Sequence, residues 1–368
     1  MNILILNWKD IKNPDVGGAE IILYELAKRM VRNGHEVIWF TRKYNNCKEF
    51  DNIDGVKIIR SGDKLSVYYK AFKYYQSLLK KPDKVIESVN TVCWQTPFYV
   101  PGDKRIVFVN QLAKEVFFYE LPNPIGFLAY ILEKWEYQSY RSSKFVCYSQ
   151  SVAKDLQTFS IPAHNISHFM LGVDHSRYQK GEKSLRPLFI FVARLARMKR
   201  ADLCVKAMKY VVENHQDAQL LIVGYGPEEY NLKMLIEDLN LSQNVSIVGK
   251  NNLFFQKNVK DIKVKLMQKA WALLLPSVKE GWGMVVTEAA ACATPSIVTN
   301  VTGLKDSVIP GKTGIILSAN PEVEELALAM KKIIKDKLLR SRLSKNALQF
   351  AQKFNWDQSY KNFMDLLE

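Results

Sequence analysis

Short apolar runs alternate with amphipathic stretches along this chain, and that alternation sets the first expectation. Asn2–Leu6 (NILIL) reads as a buried strand followed by a loop. The apolar positions Ala19, Ile22, Leu23, Leu26 and Met30 then recur at helical spacing until Gly34 stops them. Residues 37–40 form the next strand, so the chain opens with a βαβ unit, whose two strands must be parallel. Strand patterns continue at Lys84–Val89, Arg105–Val109, 144–148 and 166–171. After a charged, glycine-containing linker, QKGEKSLRP, the alternation restarts: strand Leu188–Val192, helix 201–214, strand Gln219–Val223, a strand and turn at 245–249, and helices across 321–354. Two α/β domains are predicted, 1–174 and 175–355, with a terminal helix in 356–368.

Length agrees, since 368 residues exceed a comfortable single core. An apolar fraction of 48% with 24% charged residues excludes a disordered chain. The net charge of +15 predicts attraction to phosphate, whether in nucleic acid, anionic lipid or a phosphorylated substrate, and does not choose among them. Cys47, Cys93, Cys147, Cys204 and Cys292 are odd in number and far apart, which suggests neither a disulfide framework nor a zinc site. Lys9 and Asp10 interrupt the first apolar run before a leader core forms, and no run reaches the length of a membrane span, so a cytoplasmic location is expected.

Candidate chemistry concentrates in residues 277–295, SVKEGWGMVVTEAAACATP. Gly281 and Gly283 mark a short loop, a helix of good formers and small residues follows over 285–293, and Pro295 ends it. Glu280 and Glu288 bracket the junction, and their eight-residue separation at helical rise spans about 12 Å, roughly the reach of a sugar nucleotide. Unpaired N–H groups at the helix start would hold a diphosphate between them. The plain alternative is a turn glutamate and a solvated one. Three other glycine or cation patterns sit where strands hand over to helices: Gly17 and Gly18 after the first strand, Arg194 and Lys199 in VARLARMKRAD, and Gly224 and Gly226 in GYGP. Each has an ordinary reading as turn or solvated surface. Gly311-Lys312-Thr313 imitates the end of a P-loop, but Asp306 stands in the place of its first glycine and no strand-to-helix context surrounds it.

E-G-W-G-x-x-x-x-E followed by E-A-x-A-C-x-T-P resembles the signature of glycosyltransferase family 4, retaining enzymes of the GT-B architecture. The resemblance covers nearly the whole chain and implies an α/β fold of two Rossmann-like parallel-sheet domains facing each other across a cleft, the first on the acceptor side and the second binding the nucleotide sugar. The terminal helix would cross back to the first domain. By that resemblance Glu280 contacts the transferred sugar, Glu288 the ribose, and the loop of Trp282, Gly283, Met284 and Val285 the sugar and phosphates. Arg194 and Lys199 neutralise the diphosphate, and Gly17, Gly18, Gly224 and Gly226 line the donor, with Lys250 near the base. Asn110 stands where relatives commonly carry a histidine near the transferred sugar. It would orient a hydroxyl without exchanging a proton, or merely close a turn. Ala293 departs from the family, which usually has glycine at this helix-packing position.

The implied activity is a retaining, metal-independent hexosyl transfer from a nucleoside diphosphate sugar, with no cofactor, to an acceptor that is lipid-linked or part of a growing cell-surface glycan. Competing readings are an epimerase or hydrolase on the same fold, and a basic nucleic-acid-binding protein; the coherent phosphate-site motifs argue against the last. One stretch bears on location. Between Lys64 and Lys84, Leu65, Tyr68, Phe72, Tyr75 and Leu79 share one side of a helical wheel and Lys70, Lys73, Lys80 and Lys81 the other. This fits a core stripe with a solvated back, a helix lying on the inner face of an anionic membrane, or a platform for single-stranded nucleic acid. Phe117, Phe118, Tyr119 and the apolar residues 125–132 add a greasy surface to the same half.

Overall fold

The computed structural model describes residues 1–249 and 259–367. The chain divides into two units. One comprises Met1–Lys114, Phe127–Gly172 and Asn355–Glu368; the other comprises Glu115–Gly126 and Val173–Phe354. Residues 115–126, expected within the first domain, therefore cluster with the second. Their helix Val116–Glu120 lies against the turn Arg197–Lys199, where the Met198 N–H donates to Glu120 Oε1 at 3.2 Å, and Glu115 pairs with buried Lys279 at 3.2 Å.

The first unit is built on β1 (Asn2–Leu6), β2 (Glu36–Thr41), β3 (Phe50–Ile53), β4 (Val56–Arg60), β5 (Lys84–Val89), β6 (Arg105–Val109), β7 (Lys144–Cys147) and β8 (Ile166–His168). They form a sheet of order β3-β4-β2-β1-β5-β6-β7-β8, parallel except for the antiparallel β3–β4 pair. That hairpin is missing from the sequence expectation because its outer strand, FDNI, is half polar and has no apolar run. Asp54 and Gly55, both at positive φ, make its two-residue turn. The helix Gly18–Arg32 covers one face with Ile22, Leu23, Leu26 and Met30, as the spacing predicts. The helix Trp356–Leu367 also packs in this unit. Phe363 meets Phe108 and Phe169 with ring centroids 5.7 and 5.3 Å apart, and Arg29 pairs with Asp357 at 2.8 Å.

The lysine-aromatic stretch departs from its wheel. The helix ends at Ser77, so Lys80 and Lys81 lie beyond it, and Val67, Ala71 and Tyr75 form the buried side. Tyr68 stacks toward Trp94, and Phe72 and Tyr75 toward Tyr99, while Leu65 and Leu79 stand in solvent. Lys81 donates to the carbonyls of Tyr75 and Gln76, capping the helix end rather than offering a free charge.

The second unit holds β9 (Leu188–Val192), β10 (Gln219–Val223), β11 (Val245–Val248), β12 (Ala272–Leu275), β13 (Ser296–Thr299) and β14 (Gly314–Leu317), all parallel, in the order β11-β10-β9-β12-β13-β14. Such strands carry near-continuous apolar sequence because both faces of the sheet are covered, and LFIFV, QLLIV and ALLL obey this. In both units the order reverses beside the first strand, between β1 and β5 and between β9 and β12. Chain connections diverge there and leave a crevice at the carboxyl ends of the strands.

The helix Met284–Ala291 packs through small residues and is buried from Val286 to its end. It closes on a Schellman turn: the Thr294 N–H reaches the Ala289 carbonyl and the Ala293 N–H the Ala290 carbonyl, both at 2.9 Å. Ala293 is the residue after the cap and has φ 57°. The family's glycine thus answers a left-handed backbone rather than helix packing, and here an L-residue with a Cβ occupies it. That conformation costs a non-glycine residue about 1–2 kcal/mol, partly offset by the smaller entropy of the unfolded alanine. Ala293→Gly is expected to stabilise the protein by about 0.5–1 kcal/mol. Urea unfolding midpoints of parent and variant check this, and an unchanged or lower midpoint refutes it.

Candidate active site

The crevice of the second unit lies where β9 and β12 part. After β9 the chain runs Ala193-Arg194-Leu195-Ala196 into the turn Arg197–Lys199 and then the helix Ala201–Val212; after β12 it runs through Ser277 to Gly283 and into the helix Met284–Ala291. Backbone bonds stitch the first loop to the one after β10: the Ala193 N–H donates to the Val223 carbonyl at 3.2 Å and Leu195 N–H to Tyr225 at 2.9 Å. This contact explains Gly224 and Gly226. A Cβ on Gly224 would fall 1.9 Å from the Ala193 carbonyl oxygen, and one on Gly226 2.3 Å from that of Leu195. Both glycines let two loops touch at the crevice.

The two loops that flank the crevice are joined by charge. Lys199 Nζ lies 2.5 Å from Glu280 Oε1, and the Ser277 hydroxyl donates to the same oxygen at 3.0 Å. The Val278 N–H donates to the Met198 carbonyl at 2.8 Å, and Glu280 N–H to Thr302 at 3.2 Å. Gly303, which sequence reasoning missed, backs this loop so closely that a Cβ there would sit 2.2 Å from the Glu280 carbonyl oxygen. Arg194 is exposed and its guanidinium has no ion pair among the described residues. Arg194, Lys199 and Glu280 therefore occupy one rim of one crevice.

Gly283 caps the helix in the left-handed region, φ 80°, and a Cβ there would meet Leu304 at 2.6 Å. Among the described residues no side chain caps this N-terminus, and Met284 and Val285 are half-buried. The Met284 and Val285 N–H groups thus keep their capacity for an anionic ligand, while the Val286 N–H donates to the Gly283 carbonyl at 2.8 Å. Trp282 is buried, edge-on to Phe354 with ring centroids 5.6 Å apart, and its indole N–H has no hydrogen-bond partner among the described residues. One turn further along, Glu288 is buried and its Oε2 lies 2.5 Å from Lys263 Nζ. Lys263 in turn sits 5.5 Å from the centre of the Tyr178 ring. Burial, and then the nearby Glu288 carboxylate, push the Tyr178 hydroxyl well above its ordinary range. Lys263 and Tyr178 carry no local sequence signal; only folding brings them to Glu288. Lys250 lies outside the described residues.

In the first unit, Gly17 and Gly18 begin the helix Gly18–Arg32. The Gly17 N–H donates to Glu20 Oε2 at 2.7 Å, and Lys9 lies 3.4 Å from the same oxygen. Glu20 of the GGAE sequence is thus a buried capping residue, while Gly18 is exposed at the first turn. Asn110 is 3% exposed and its amide is engaged within the unit. Nδ2 donates to Ser88 Oγ at 3.1 Å and to the Val89 carbonyl at 3.2 Å, and the Tyr148 hydroxyl donates to Oδ1 at 3.1 Å. It ties together the ends of β5, β6 and β7. Among the described residues no cluster of three or more His, Cys, Asp or Glu is arranged for a metal ion, and no helix is long and apolar enough to cross a membrane.

Two doubly wound units, with cations and an uncapped helix N-terminus at the second unit's crevice, define the GT-B class of glycosyltransferases. Residues 173–350 match the family described as glycosyl transferases group 1, and residues 16–177 match glycosyltransferase family 4. The chain belongs to this family of glycosyltransferases. A glycosyltransferase of Methanocaldococcus jannaschii whose substrates are not named is 25% identical over 394 residues, which cover 100% of this chain and 97% of the relative. Among solved structures, sucrose-phosphate synthase from Thermosynechococcus elongatus superposes with a TM-score of 0.82 at 21% identity, covering 99% of this chain and 98% of the other. Anabaena HepE, solved in complex with UDP-glucose, gives 0.74 at 16% identity over 100% and 99% of the two chains.

Because the Asn110 amide is buried and engaged, Asn110→Ala is expected to cost about 1–3 kcal/mol of stability by removing its hydrogen bonds with Ser88, the Val89 carbonyl and Tyr148. Urea unfolding measures it. A variant as stable as its parent, but with lower turnover, would return Asn110 to direct work on the sugar.

Proposed function

We propose that this chain transfers a hexose from a nucleoside diphosphate sugar to an acceptor with retention of configuration. The observation that carries this reading is the set of groups around one crevice: Arg194 without an ion pair among the described residues, Lys199 on the same loop and held by Glu280, and the start of the helix Met284–Ala291, which no described side chain caps, at the ends of the same strands. Those donors suit the charge that develops on a departing diphosphate. In this reading Glu280, which Lys199 and Ser277 hold, accepts from sugar hydroxyls, and Glu288 accepts from the ribose. Fixed cations supply the charge, so the reading calls for no metal or cofactor. That HepE, of the same fold, is solved with UDP-glucose favours a uridine donor.

Arg194→Ala is expected to lower kcat by about 100- to 1,000-fold, with little change in melting temperature, since its side chain is exposed. Glu288→Ala is expected chiefly to raise the donor KM. Steady-state kinetics in EDTA, with acceptor consumption followed to separate transfer from hydrolysis or epimerisation, check these. The donor is found by thermal shift with a panel of nucleoside diphosphate sugars, where a ligand at 100 times its Kd stabilises by about 2.7 kcal/mol. If no member of the panel shifts the transition, the reading falls.

The acceptor we infer is lipid-linked, reached from the inner face of an anionic membrane. Support comes from the helix Ile125–Glu136, which presents Leu128 at 57%, Leu132 at 55% and Trp135 at 74% exposure while Glu133 is buried. An outward apolar face with aromatic and cationic flanks suits the bilayer interface. The protein is expected to sediment with vesicles containing phosphatidylglycerol and less with neutral ones, and Leu128→Ser with Trp135→Ser is expected to abolish sedimentation. Equal sedimentation of parent and variant overturns the membrane assignment and leaves sugar transfer untouched.

A further inference from the structure

A second cationic cavity lies away from the crevice, on the other side of the second unit. It has a volume of about 490 Å³ and lies between the linker around Gly181, Trp271 and the helix Lys337–Ala351. Lys180, Lys183, Lys337, Arg340 and Lys345 line it, with the hydroxyls of Ser341 and Ser344, and no carboxylate does. Of the nearby acids, Asp336 accepts from the Leu339 N–H at 2.8 Å as a helix cap and partly offsets the charge of Arg340, and Glu182 is exposed, so neither offsets the lysines that line the cavity.

The cations are positioned from several directions. Arg340 lies flat on Trp271, 3.7 Å from the ring centre, and is anchored by a 2.7 Å hydrogen bond to the Ile333 carbonyl. Trp271 is itself fixed by its indole N–H, which donates to Ser184 at 2.8 Å. Lys183 reaches inward to Thr294 Oγ1 at 2.5 Å and the Cys292 carbonyl at 3.3 Å, the C-terminal end of the helix whose other end faces the crevice. Burial without a carboxylate pushes the Lys183 ammonium down to about 8. Lys180, Lys337 and Lys345 have no ion pair among the described residues.

So many cations sharing a small cavity repel one another, and an anion relieves that repulsion. The anchored Arg340 guanidinium and the Ser341 and Ser344 hydroxyls beside them match phosphate oxygens, and the volume suits a small molecule rather than a polymer. We propose that this cavity binds a small phosphorylated molecule at a site separate from the donor crevice, through Lys337, Lys345, Arg340 and Lys183 with Ser341 and Ser344. Lys183 then connects the bound phosphate to the end of the helix Met284–Ala291.

The test uses the full chain carrying Arg194→Ala and Lys199→Ala, so that the donor crevice contributes little. Inorganic pyrophosphate is titrated calorimetrically into this protein and into the same protein with Lys337→Ala and Lys345→Ala added. The first is expected to bind and the second to bind at least about tenfold more weakly, with unchanged melting temperature because both lysine side chains are exposed. Binding is also expected to change tryptophan emission, a change that Trp271→Phe removes. No binding by the first protein, or equal affinity in both, overturns the proposal. So does binding of a single-stranded oligonucleotide that the lysine substitutions abolish and pyrophosphate does not compete with.

Discussion

Parallel strands cannot be joined by tight hairpins, and that constraint positions everything chemical in the second unit. Each strand must return over a face of the sheet before the next begins, and with the order β11-β10-β9-β12-β13-β14 successive returns leave β9 and β12 in opposite directions. The loops after these two strands are therefore held apart at their start, and an opening remains that no other pair of neighbours leaves. Arg194 and Lys199 stand on one loop, Glu280 and Gly283 on the other. The Lys199–Glu280 pair and the Val278–Met198 backbone bond join the loops around that opening. A different strand order with the same sequence motifs would scatter these residues.

The electrostatics of the crevice follow from incomplete pairing. Lys199 is neutralised by Glu280, Lys263 by Glu288, and Lys279 by Glu115, whereas Arg194 and the Met284 and Val285 N–H groups have no such partner among the described residues. On the proposed reading, a diphosphate would meet Arg194 without first breaking a salt bridge, and a sugar would meet a Glu280 carboxylate already oriented by Lys199 and Ser277. The geometry separates anchoring from response. Paired groups hold the frame, and unpaired ones answer to charge that changes during the reaction.

Much of this was readable from the chain because the relevant contacts are local. The E-G-W-G loop, the helix behind it and the cations after β9 sit within short windows where spacing and secondary structure determine geometry. Lys263 and Tyr178 were invisible because they reach Glu288 only through the fold, and neither carries a motif. Asn110 sits at the end of a recognisable strand, but whether its amide faced outward or inward depended on Ser88 and Tyr148, on other strands. The lysine-aromatic helix shows a different failure. A wheel drawn through residue 79 ignores that the helix stops at Ser77 with Lys81 folded back on its carbonyls, and it cannot anticipate that aromatic neighbours at Trp94 and Tyr99 select Val67, Ala71 and Tyr75 for the inside.

The helix Ile125–Glu136 shows why an apolar sequence need not mean a buried one. Two loops of the first unit present backbone N–H groups that the sheet cannot satisfy. Glu133 accepts from Ala113 and Lys114 at 2.6 and 2.8 Å, and Glu136 from Cys93 at 3.0 Å. Leaving such N–H groups unpaired would cost about 1–3 kcal/mol each, so the helix rotates its carboxylates inward. Leu128 and Trp135 lie roughly across the helix from Glu133, so turning Glu133 toward the loops turns both of them to the outside. Burial then works against the usual preference of the glutamates for charge, and the Glu136 carboxyl is held above its ordinary range chiefly by desolvation. The outward apolar face is thus a geometric consequence of stapling the loops, available for an interface that its residues suit.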